Sequence, residues 1–295
     1  MTRLSMAKKP RKKIFHAREN RSVGGNFFIF FLLILLGIFT AFPLYLSLIN
    51  SFKPLNELWI FPPRFYVIRP TFKNYIDLFS LMSNSTVPFS RYIFNTFLIT
   101  SVGTFGQIIF ASMCAYPLAK YRFPGSIIYF RIIVLSLMFS PAVTAIPNYL
   151  TMARIGWIDT YFALIVPVFG SSLGLYLMKQ FMEQIHDSIL ESARIDGADE
   201  WKTFWLIVMP QVKGAWLTLI VFSVQSLWGM GATNMIYSEN LKTLNYALGQ
   251  IISAGIARAG VATAIVVVMM IVPITTFLIT QSKVIETMAT AGIKE

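Results

Sequence analysis

Six long apolar stretches divide the chain, at about 27–49, 92–119, 127–150, 161–182, 215–236 and 261–280. About 20 consecutive apolar residues suffice to cross a hydrocarbon layer, so the pattern predicts an all-α membrane protein with six transmembrane helices. It leaves a basic tail at 1–26, a membrane domain at 27–282 and a second tail at 283–295. The first stretch is too long for a secretory leader, whose apolar region runs to about 7–15 residues, and it lacks a small-residue cleavage site. It is therefore read as a span. Pro43, Pro141, Pro147 and Pro167 fall inside these stretches. Each removes an amide donor, which is tolerated at depth where a neighbouring helix or cavity water satisfies the freed carbonyl.

The polar interruptions differ in kind. The segment 50–90 mixes Trp59, Pro62, Pro63, Arg64 and Pro70, and reads either as an interfacial segment or as a plain connection. The segment 237–259 is a second loop on the same side, and residues 120–125 form a short basic turn on the other. The loop at 184–210 carries helical periodicity of its own. Ile185, Ile189, Leu190 and Ala193 share one face, and Trp201, Phe204, Trp205 and Val208 share another. Gly197 lies between them, where a left-handed helix end needs a glycine. Asp199 is placed to cap the second half, Glu200 to face its positive end, and Pro210 to close it. The pattern predicts two short amphipathic helices outside the membrane, hinged at Gly197 and presented to a partner.

Charge fixes the orientation. Lys and Arg number 25 against 13 Asp and Glu, and eight of the 25 lie within the first 21 residues. A basic cluster just before a span acts as an orientation signal and an anionic-lipid contact, so no nucleic-acid partner is expected. With both termini cytoplasmic, 17 of the 25 Lys and Arg fall on the cytoplasmic side, as the positive-inside rule requires. The single cysteine, Cys114, is read as a small packing residue within the second span.

The spans hold no Asp, Glu or His in their apolar interiors. Proton-coupled transport ordinarily uses such a residue, and an intramembrane hydrolase needs a nucleophile with a base or a metal. Nor does the chain contain a G-x-x-x-x-G-K-[ST] phosphate loop. No catalytic residues, metal ligands or bound cofactor are therefore expected, and the energy source must lie on another chain.

Glu191-Ser192-Ala193, three residues, Gly197, nine residues, Ile207, one residue and Met209-Pro210 resemble the cytoplasmic loop motif of ATP-binding-cassette (ABC) importer permeases. Ser192 and Met209 are its mild departures. Cys114–Gly125, the pair Asn95-Thr96 and the ending Thr290–Glu295 are similar to stretches of the second permease of maltose-type carbohydrate importers. One stretch departs: that family commonly has W-N-D-F in the fifth span, where this chain has Trp228-Gly229-Met230-Gly231.

The resemblance implies a type I importer permease fold and a bacterial or archaeal cell-membrane location. It also implies a second permease as partner, an extracytoplasmic solute-binding protein, and two ATPase subunits that use ATP and Mg. Glu191, Ser192, Ala193, Asp196, Gly197, Ala198, Ile207 and Pro210 would couple to an ATPase, with Ala193 and Gly197 allowing close approach. Ala291, Gly292 and Lys294 would reach the ATPase interface from the tail. The solute would be a sugar or oligosaccharide, which needs neutral hydrogen-bonding and aromatic groups. Asn95, Gln107, Tyr116, Asn148 and Trp228 are the candidates for its path. A glycerol phosphate or a peptide carried by the same machine, a secondary transporter, and a scaffold without transport remain the alternatives.

Overall fold

The computed structural model describes residues 23–291 except 84–86, 232 and 254. Among the described residues every regular element is helical. In chain order they are α1 (Val23–Ser51), α2 (Leu55–Leu58), α3 (Lys73–Ser83), α4 (Phe89–Lys120), α5 (Ser126–Ser136) and α6 (Pro141–Arg154). There follow α7 (Tyr161–Phe169), α8 (Ser172–Glu183), α9 (Asp187–Ile195) and α10 (Glu200–Gln211). The last are α11 (Lys213–Trp228), α12 (Leu244–Ile252) and α13 (Ala259–Ala291).

The chain divides into two compact units at Leu46. In the first, α1 exposes a run of large apolar side chains from Phe27 to Leu36 on every side of the helix. A helix apolar all round is solvated by lipid or protein rather than water. The second unit is organised around α4, which packs against α7, α8 and α11, while α11 packs along α13. Close approach of α4 and α7 depends on Gly106, where a Cβ would overlap the Phe169 ring. That ring stacks instead on Phe110 at 5.1 Å.

Among the described residues four helices are long and apolar enough to cross a membrane: Gly25–Ser51, Phe89–Lys120, Tyr161–Glu183 and Ile256–Val284. Counting each of two sharply bent pairs as one span raises the number to six. The expected third span, 127–150, is one such pair, with α5 and α6 meeting at 110°. Pro141 disfavours helical backbone at Ser140, whose hydroxyl instead accepts the Ala142 amide as a cap. The expected fifth span, 215–236, is helical only to Trp228 before Gly229 and Gly231. At 16 residues α11 is about 24 Å long, short of a full crossing.

The loops carry more structure than the sequence pattern predicts, since α2 and α3 lie within 50–90 and α12 within 237–259. Buried polar groups hold them. Asn74 donates to the carbonyls of Ser51 and Lys53, both at 2.8 Å. Glu57, buried, accepts the Ile68 amide at 2.9 Å. The helix ending the chain is longer than its apolar run, since α13 continues to Ala291 through the expected tail. Cys114 is exposed on α4 rather than packed inside.

Candidate functional site

The loop between α8 and α11 is built on a glycine-terminated helix. At the end of α9 the Ala198 amide bonds the Ala193 carbonyl at 2.9 Å, and the Gly197 amide bonds the Arg194 carbonyl at 3.1 Å. These two bonds make a Schellman motif, and Gly197 takes the left-handed φ of +79° that it requires. Asp199 then caps α10, its Oδ1 accepting the Lys202 amide at 2.7 Å. α10 ends at Gln211, one residue past Pro210. It widens into a π turn over Thr203–Val208 and meets α11 at 76°.

One side of the loop is seated on this chain. Ile185, Leu190, Phe204 and Val208 are buried with Ala111, Ala115 and Tyr116 of α4 and Met178 and Met182 of α8. A polar latch reinforces the seat. Glu200 accepts the hydroxyls of Tyr116, at 3.2 Å, and Tyr121, and pairs with Arg194 at 3.1 Å. Arg194 also donates to the Tyr121 hydroxyl at 2.9 Å. Lys120 donates to the Ile185 carbonyl and pairs with Asp187 at 2.8 Å. That ammonium holds the Asp187 carboxyl below the usual carboxylate range. Sequence reasoning missed Lys120, Tyr121, Arg194 and Glu200 as a set, although Lys120 and Tyr121 lie in the Cys114–Gly125 stretch that carried a resemblance.

The other side of the loop is open. Glu191, Ser192, Asp196, Gly197 and Pro210 are exposed, and Ala198 and Ile207 are half-buried. Ile195 is 85% exposed, with Trp201 and Leu206 exposed nearby in sequence. A Cβ at Gly197 would meet nothing within 4 Å, so backbone conformation rather than packing within this chain selects glycine there. Ala193, which the resemblance places in close approach to a partner, is 5% exposed in this chain.

A second feature lies deeper. A cleft of about 310 Å³ is lined by Gln107 of α4, Ser171, and Phe222, Ser223 and Ser226 of α11, with apolar walls from Pro167, Val168, Leu173 and Leu227. No charged side chain lines it. Gln107 is 7% exposed and its amide makes no hydrogen bond to the described residues. Ser223 is fixed by the Thr104 hydroxyl at 2.9 Å. Thr96, Thr100, Thr104 and Gln107 recur at helical spacing as a buried polar stripe down α4. The candidates named from sequence for the path include Gln107 but none of the serines that line this cleft.

The other pathway candidates are placed differently. Asn95 is fully buried, donating to the carbonyls of Asn240 and Lys242 at 2.8 Å and accepting from Tyr161 at 2.7 Å. It ties α4 to the loop before α12. Tyr116 belongs to the latch, and Asn148 is exposed on α6 and is not among the residues lining the cleft. Trp228 donates its indole N–H to the Met269 carbonyl at 3.1 Å. That carbonyl is the one left without its helical donor by Pro273, four residues on. Trp228→Phe should therefore cost about 1–2 kcal/mol of stability in wild type. The loss should shrink to below about 0.5 kcal/mol in a Pro273→Ala background, where the alanine amide supplies the missing donor. Chemical unfolding of the four proteins of this cycle measures it, and equal losses in both backgrounds would refute the pairing. Ala291 is the last residue of α13, while Gly292 and Lys294 lie outside the described residues.

Residues 107–287 match the family described as binding-protein-dependent transport system inner membrane component. Protein LplC of Bacillus subtilis (strain 168) is 33% identical over 215 residues, 72% of this chain and 70% of that protein. The sn-glycerol-3-phosphate transport system permease protein UgpE of Yersinia enterocolitica is 29% identical over 211 residues, 71% of this chain and 75% of that protein. A chain of a bacterial ABC transporter involved in the import of the acidic polysaccharide alginate has the same fold. It superposes with a TM-score of 0.75 at 23% identity, over 89% of this chain and 98% of its own.

Proposed function

The chain belongs to the family of binding-protein-dependent transport system inner membrane components, and we propose that it forms, with a second permease, the path of a sugar or oligosaccharide through an ATP-driven importer. It is a multi-pass permease of an ABC import system in the cell membrane. In the proposed assembly an extracytoplasmic protein delivers the solute. Two ATPase subunits bind ATP with Mg and grip the permease loops from the cytoplasm.

The observation that carries this reading is the connection between the two features. The latch from α9 and α10 ends on Tyr116, Lys120 and Tyr121, at one end of the helix whose middle presents Gln107 to the cleft. Movement of a gripped loop is thus delivered to α4 through buried side chains and hydrogen bonds, without a flexible linker. The open apolar side chains of Ile195, Trp201 and Leu206 supply the surface for the grip. Glu191 and Asp196, exposed beside them, supply charge at its rim.

The neutrality of the cleft supports an uncharged solute. Gln107, Ser171 and Ser226 offer hydrogen bonds to hydroxyls, and Phe222 offers an apolar face. Relatives that are sn-glycerol-3-phosphate permeases favour a phosphorylated solute as the second reading. Arg or Lys in the path would be its mark. The test is uptake by the reconstituted complex of radiolabelled maltodextrins and of glycerol 3-phosphate. The neutral solute should accumulate with ATP, and Gln107→Leu should lower its uptake about tenfold, since it leaves buried hydroxyls of the solute unpaired. Uptake of glycerol 3-phosphate alone would replace the sugar reading with the second one.

A further inference from the structure

A second cleft, of about 500 Å³, opens where α4 ends, α5 begins and α8 ends, beside the gripped loop. Its charged lining is Lys120, Arg122, Arg131 and Lys179 against Glu183 and Asp187. Both carboxylates are already engaged. Asp187 pairs with Lys120 at 2.8 Å, and Glu183 with Lys179, whose ammonium also lies 3.9 Å from the centre of the Phe130 ring. Arg122 and Arg131 make no hydrogen bond or ion pair with any described residue. Two guanidinium groups therefore face one cleft in which each carboxylate already has another cation as its partner.

The position of the cleft says what kind of anion it meets. Arg131 is five residues into α5, roughly 8 Å along the helix, a depth from which a long side chain snorkels to the headgroup layer. Ile127, 67% exposed, lines the cleft and continues into the exposed apolar side of α5 at Ile128, Ile132 and Leu135. A ligand filling both surfaces has an anionic head that accepts bidentate bonds from arginine, and hydrocarbon next to it. Basic pockets between membrane helices bind acidic lipid headgroups on these terms.

We propose that this cleft holds the phosphate of an acidic phospholipid, with Arg122 and Arg131 as its ligands and the acyl chains lying along α5. The site goes beyond the transport reading and is independent of the solute carried. Because Lys120 lines the cleft and also bonds the loop at Ile185 and Asp187, the bound headgroup lies against the latch.

The test is native mass spectrometry of the full assembled complex with phosphatidylglycerol and phosphatidylcholine of the same acyl length. Wild type should bind phosphatidylglycerol preferentially. Arg122→Gln with Arg131→Gln should weaken that binding about tenfold and leave phosphatidylcholine unchanged, as expected for lost charge-assisted bonds. The basic tail contributes a background set by net charge, so Lys73→Gln with Arg154→Gln serves as a control that removes the same charge elsewhere. Arg122→Lys with Arg131→Lys, which keeps the charge but not the fork, checks for misfolding and should bind between the two extremes. Unchanged phosphatidylglycerol binding in the Gln pair, or an equal loss in the control, would overturn the site. Retention of inorganic phosphate with no preference between the two lipids would overturn the assignment of a lipid.

Discussion

Gly197→Val is expected to lower ATP-driven uptake at least tenfold while the permease still inserts and assembles. The left-handed backbone at Gly197 costs an ordinary residue roughly 1–2 kcal/mol, and β-branching makes it worse. Valine must either strain the Schellman turn or abandon it. Abandoning it releases the Ala198–Ala193 and Gly197–Arg194 bonds and redirects the chain between α9 and α10. Space within this chain is not the obstacle, since a Cβ at this position would have no neighbour within 4 Å. Gly197→Asn, which tolerates the left-handed region, should keep more uptake than valine. Parallel measurements of ATP hydrolysis and uptake in proteoliposomes decide it, and wild-type coupling in the valine variant would contradict the role given to this turn.

Glu200→Ala should have the next largest effect. It removes the acceptor shared by Tyr116, Tyr121 and Arg194, and so separates α10 from the end of α4. The Glu200 side chain is 54% exposed, so its pairing with Arg194 alone contributes no more than about 1 kcal/mol. The two tyrosine bonds add to it because they join groups 79 and 84 residues apart in sequence. Basal ATP hydrolysis should persist, and its stimulation by solute-loaded binding protein should fall several-fold, as expected when about 1–2 kcal/mol of coupling is lost. Glu200→Gln, which keeps an acceptor, should lie nearer wild type. Full stimulation in the alanine variant would show that the latch does not transmit movement.

The parts of this architecture that depend on local chemistry were legible in the sequence. Gly197 and Asp199 announce a helix end and a helix start because left-handed backbone and an oxygen cap are properties of single residues. The apolar stretches announce lipid-facing helices for the same reason. Other features depend on partners far along the chain. Asn95 reads as a polar residue in a span, yet its amide is bound to carbonyls 145 and 147 residues away. Trp228 reads as a pathway aromatic, yet its N–H occupies the carbonyl that Pro273 leaves without a donor inside a continuous helix.

Periodicity also has a limit of its own. Trp201 and Trp205 have the spacing of core residues, and both are exposed while Phe204 and Val208 are buried. An apolar face says that something covers it, not whether the cover is this chain or another. The serines of the cleft carried no sequence signal beyond their number, because a hydroxyl that lines a path and one that bonds its own helix look alike.

In the proposed assembly an ATPase grips the open side of the Gln184–Pro210 loop. Photocrosslinking from position 195 tests it most directly, since Ile195 is 85% exposed just before the turn at Gly197. A photoreactive phenylalanine there, in the assembled complex, should form an adduct with the ATPase subunit that changes in yield between nucleotide-free and ATP-bound states. The same group at Ile256, 71% exposed in the short 3-10 turn that leads into α13, should form none. Adducts at both positions, or at neither, would contradict the account.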